Sequence, residues 1–157
     1  MFYLDSKHIM FIFDKFKSLN MEEKTTVMTQ NFALPLFHVN YDVIVGENMK
    51  EIREFVNSMC PNAKLKINDT YGGYTCILTD NERETSLYIM ISFDDIVKDN
   101  DLLRRVTHEC THMSWYILDA LGIEINVDNH EMQAYLIEEL VDKVMTVANK
   151  FNFESLK

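Results

Sequence analysis

Residues 101–121 of this 157-residue chain read as one uninterrupted helix, and that helix carries His108-Glu109-Cys110-Thr111-His112. Positions four apart on a helix differ by ~6 Å in rise and ~40° in azimuth, so the two imidazoles share a face. Asp99-Asn100-Asp101 supplies capping acids at the start, and Gly122 is placed to stop the helix as its first left-handed residue. Asn126-Val-Asp128-Asn129 caps a last long helix over roughly 129–149. Two long helices joined by so short a connection pack antiparallel. The rest of the chain must then cover their apolar sides, read here as Ile117, Leu118, Leu121 and Trp115 on one helix and Met132, Leu136, Leu140 and Val144 on the other. Cys110 points away from the histidine face and belongs to the core.

The upstream residues read as strands around one helix. Leu34 to Val45 alternates loosely, as a strand does. Gly46-Glu-Asn48 punctuates it, and 49–59 has helical period. Tyr71-Gly-Gly-Tyr74 opens a second strand region. Thr75 to Thr79 and Thr85 to Phe93 flank Asp80-Asn-Glu-Arg-Glu84 as a hairpin. Near the start, Leu4, His8, Ile9, Phe11, Ile12 and Phe16 form the apolar side of an amphipathic helix, and a helical or irregular segment runs to about residue 31. Strands first and paired helices last give an α+β domain, with 1–157 read as one unit.

Composition narrows the partners. A net charge of −10 argues against a nucleic-acid backbone or an anionic membrane, and favours neutral or cationic ligands. Asp5, Lys7, Asp14 and Lys15 break the apolar amino terminus, which is therefore expected to be an amphipathic helix rather than a signal peptide or a membrane span. Cys60, Cys76 and Cys110 are odd in number and lack paired spacing, as expected of free thiols in a reducing cytoplasm.

The pattern His-Glu-x-x-His on a helix makes half of a zinc site, with the glutamate directed at a metal-bound water. A catalytic zinc needs a third protein ligand. An extension with Gly at 115 and His or Asp at 118 fails, because Trp115 and Leu118 stand there. Asp119 lies about two turns past His112, too far to share a metal with both histidines. Glu131, in the first turn of the last helix, is the better candidate; His130 is its rival and Asp128 a weaker one. Two histidines at this spacing can equally be ordinary polar side chains of one helix face.

The segment Thr107 to Gly122, followed by Asp128-Asn-His-Glu-Met-Gln-Ala-Tyr135, resembles the small zincin-like metallopeptidases of the glutamate-zincin type encoded by tailed bacteriophages. Tyr41-Asp-Val-Ile-Val-Gly46 and the Tyr71-Gly-Gly-Tyr74 hairpin extend the resemblance upstream. It implies a zincin-like domain: a small antiparallel sheet and hairpin, then two antiparallel helices with zinc held by His108, His112 and Glu131. It also implies Glu109 as general base, a peptide or protein substrate, and a place in the host cytoplasm or a virion. Tyr135 stands where the better-studied enzymes carry an acid that orients a histidine, leaving Asp119, Glu138 or a backbone carbonyl for that task. Tyr71, Tyr74 and Tyr135 are the candidates for oxyanion support.

On that reading, zinc polarises the scissile carbonyl and Glu109 relays the water proton. The strand from Leu87 to Phe93 is expected to offer its edge to the peptide. Two non-catalytic alternatives stand beside it. One is a virion or connector component retaining the fold; the other is an acidic module that binds a host factor.

Overall fold

The computed structural model describes residues 26–61, 64–79 and 85–155. The amphipathic segment expected at the amino terminus and the Asp80–Glu84 loop therefore lie outside the described residues. In order, the elements are β1 (Val27–Leu34), β2 (Val39–Gly46), α1 (Met49–Met59), β3 (Gly73–Thr79), β4 (Thr85–Ser92), α2 (Asp99–Ala120) and α3 (His130–Ser155). Together they make an α+β arrangement of a four-stranded sheet and three helices among the described residues.

The sheet runs β1-β2-β4-β3 and is mixed, which corrects the expected small antiparallel sheet. β1 pairs antiparallel with β2, and β3 with β4, while β2 and β4 are parallel at the centre. A parallel pair needs a crossover, and α1 with the segment after it provides one. Central strands covered on both sides carry continuous apolar runs rather than clean alternation. Val43-Ile44-Val45 and Ile89-Met90-Ile91 are such runs, all fully buried. Tyr41, Val43, Val45, Ile89 and Ile91 face α2 and α3, whereas Ile44, Tyr88 and Met90 face α1. Each such side chain contributes ~1.5–3 kcal/mol by leaving water, so the central pair anchors both layers.

Residues 27–31, read as the tail of a helical segment, form most of β1 instead. The strand expected from Leu34 to Val45 divides at a turn, where Phe37 N–H donates to Leu34 O (3.0 Å) and His38 takes a positive φ of 53°. β4 lies between β2 and β3, so the Leu87–Phe93 strand is interior and, among the described residues, β1 and β3 are the edges.

The helix ends follow local chemistry. Asn48 Oδ1 accepts from Glu51 N–H at 3.0 Å and caps α1. Asn48→Ala is expected to cost about 1 kcal/mol, read as a lower urea midpoint with unchanged slope. At α2, Asp101 reaches back to accept from Lys98 N–H at 3.2 Å. Gly122 stops it with φ +69°, as expected of a residue just past a helix end. The two long helices pack through a shared core that includes Cys110, Met113, Ile117, Leu136, Leu140 and Val144. Trp115 and Leu121 depart from the packing expected of them, being 54% and 42% exposed.

Candidate functional site

Arg104, His108, His112 and Tyr116 follow one another at four-residue spacing along α2, with Arg105 and Glu109 on the adjacent line. Such lines run along one helix face. The face meets the start of β3, and between them lies a cleft of about 630 Å3 bordered by residues 70–75.

A close approach of helix and strand makes this meeting possible. A side chain at Gly72 would fall on the Arg105 guanidinium, and a Cβ at Gly73 would sit 2.6 Å from Glu109 Cγ. Arg105 is fixed there because its Nη1 donates to Ser92 O and, at 2.9 Å, to Asp94 O. It pins the first turns of α2 to the end of β4. Burial pulls its guanidinium below the ordinary value, against the pull of Asp95 and Asp94.

Glu109 is buried against β3, 6% exposed. Thr75 Oγ1 stands 2.8 Å from its Oε2 and 3.1 Å from its backbone oxygen, a hydroxyl donor to both. Burial pushes the Glu109 carboxyl above the usual carboxylate range; the Thr75 hydrogen bond and then His108, His112 and Arg105 oppose that rise. Two imidazoles stand at the mouth, with Nε2 atoms 3.1 Å apart and rings edge-on at 83°. At that separation one ring donates to the other. Trp115 meets His112 edge-on at 5.7 Å between ring centres. Across the cleft, Tyr71 and Tyr74 stack at 6.4 Å.

The structure thus unites His108, Glu109 and His112 and adds Tyr71 and Tyr74, but it leaves Glu131 elsewhere. Glu131 lies on α3 in a separate groove against the β1–β2 turn. Its side chain is 71% exposed, 3.5 Å from His130 Nε2. Asp128, Tyr135, Asp119 and Glu138 are likewise exposed and do not line the cleft. Among the described residues, no group of three or more His, Cys, Asp or Glu side chains is placed to hold a metal ion. His108 and His112 supply two ligands and, among the described residues, no third side chain is placed to join them, whereas a catalytic zinc takes three protein ligands.

That finding overturns the zincin-like fold assignment, the zinc cofactor and the zinc-peptidase activity implied by the resemblance. Comparison with protein-family models, with curated proteins and with solved structures returned no match. The bacteriophage, virion and hydrolase assignments rested on the same resemblance and fall with it. No helix among the described residues is long and apolar enough to cross a membrane.

Sequence reasoning also missed Arg104, Arg105, Thr75 and Tyr116. The i+4 line from Arg104 to Tyr116 was a usable signal, as was the adjacent Gly72-Gly73, since paired glycines in a strand mark a close backbone approach. Net charge misled in another way. The cleft is lined by Arg104 and Arg105 against one buried carboxyl, and with Asp94 and Asp95 beside Arg105 the free positive charge among its described residues is that of Arg104, on an acidic chain.

Proposed function

We propose that the chain is a non-catalytic binding module that takes an extended peptide along β3, with an acidic peptide side chain meeting Arg104 and the histidine pair. The observation that carries this reading is the β3 edge. Gly73-Tyr-Thr-Cys-Ile-Leu-Thr79 contains no charge and no proline, the usual guards of an open edge. β1 is also unguarded, but the basic cleft lies beside β3.

The ladder fixes which amides are free. Ser92 N–H donates to Gly72 O at 2.9 Å, and the antiparallel register continues from Gly73 opposite Ile91. Bonded pairs alternate in such a ladder, so Tyr74, Cys76 and Leu78 turn their backbone groups toward β4. Gly73, Thr75 and Ile77 turn theirs outward. A peptide adding there gains main-chain hydrogen bonds, while Arg104 and the tyrosines select side chains.

The test is a library of extended octapeptides screened by fluorescence anisotropy, with bound peptides checked by mass spectrometry. Acidic, β-prone peptides should be retained and recovered intact. Ile77→Pro removes an outward N–H without touching the β4 ladder, and Arg104→Glu reverses the nearest free guanidinium in the cleft. Each should weaken binding by about tenfold or more while far-ultraviolet dichroism stays native. Cleaved peptides, or full affinity in a folded Ile77→Pro protein, would overturn the reading.

A further inference from the structure

The groove that holds Glu131 has a composition of its own. Leu34 and Leu136, 5% and 3% exposed, lie under it with Met132 and Phe37. Its walls are Leu36 on the β1–β2 turn and Tyr135 on α3, 83% and 68% exposed. Large apolar side chains so exposed around one depression, about 510 Å3 in volume, mark a contact surface. Glu131, Tyr135 and Glu139 follow at four-residue spacing, so a carboxylate stands on each side of the tyrosine along one helix face.

We propose that this groove docks a basic, apolar segment of a partner protein. A leucine- or phenylalanine-sized side chain fills the depression between the turn and α3, and flanking lysines or arginines meet Glu131 and Glu139. Charge complementarity selects this occupant. Acidic rims over an apolar floor repel acidic segments, and a net charge of −10 opposes a second copy of the same chain. The carboxylates have local partners, His130 at 3.5 Å and Lys143 at 3.4 Å. Exposed pairs of that kind are weak, about 0–1 kcal/mol, and yield to a ligand. The proposal stands independently of the β3 cleft, which lies on other residues.

The probe is a labelled synthetic helical peptide with leucines at i and i+4 flanked by lysines, compared with its glutamate-for-lysine counterpart. Fluorescence anisotropy with the full chain at physiological ionic strength should show binding of the lysine peptide alone. Glu131→Lys with Glu139→Lys should weaken it by about tenfold and admit the glutamate peptide. Leu36→Ser should weaken it several-fold without loss of fold. Glu54→Lys with Asp119→Lys changes net charge equally at exposed positions outside the groove, and should leave affinity within about twofold. Three results would each overturn the proposal. They are no binding of the lysine peptide, equal weakening by the control pair, or sedimentation showing self-association that Leu36→Ser abolishes.

Discussion

Gly73→Val is expected to destabilise the protein by roughly 2–6 kcal/mol, read from urea unfolding. The added side chain begins at a Cβ 2.6 Å from Glu109 Cγ and 2.8 Å from Oε1. Glu109 has little room to retreat, because its backbone belongs to α2 and Arg105, four residues earlier, is tied to Ser92 and Asp94. Overpacking of this sort costs ~1–3 kcal/mol. Pushing the carboxyl off Thr75 strands a buried polar group, for a further ~1–3 kcal/mol. Coupling supplies the sharper check. In the Glu109→Ala background the valine has space, so Gly73→Val should then cost far less than in the parent. Equal costs in both backgrounds would show that the clash is not with Glu109. Gly72→Ala should also destabilise, since the Arg105 guanidinium it meets could move away only by giving up Ser92 O and Asp94 O.

The same residues show how much could be read in advance. α1 was legible to the residue from its period and the Gly46-Glu-Asn48 break before it; α2 was found from Asp101, the pentad and Gly122, but starts at Asp99, two residues before the expected start. α3 was found but runs to Ser155, six residues past the expected end, as no glycine or proline stops it. β1 was not legible. Thr29, Gln30 and Asn31 are all exposed, so this edge strand lacks the alternation that betrays a half-buried one. The β2–β4 pairing escaped as well, because two runs buried on both faces look alike whether parallel or antiparallel. At the candidate site, helix spacing correctly brought His108, Glu109 and His112 together. It could not place Glu131, since sequence distance along two helices fixes neither their rotation nor their offset. α3 buries Leu136, Leu140 and Val144 against the sheet, and that rotation leaves Glu131 at the β1–β2 turn.

Glu109→Gln is expected to stabilise the protein near neutral pH. Burial holds the Glu109 carboxyl above its ordinary value despite Thr75, His108, His112 and Arg105. A carboxyl whose pKa is raised by folding binds more protons in the native state across the interval between its two values. Its contribution to stability is therefore whole below the unfolded pKa and is lost as pH rises through the folded one. Glutamine keeps the shape and an oxygen that accepts from Thr75, but it has no charge to bury. The variant's melting temperature should exceed that of the parent at about pH 7.5, read by thermal unfolding of the two proteins side by side. The gap should close toward about pH 4, where both proteins bury a neutral group. A parent more stable than Glu109→Gln at neutral pH would mean that the ionised carboxylate is held by its basic neighbours more strongly than burial opposes it. The cleft would then owe its fold to that charge, and a buried acid would be the wrong description of Glu109.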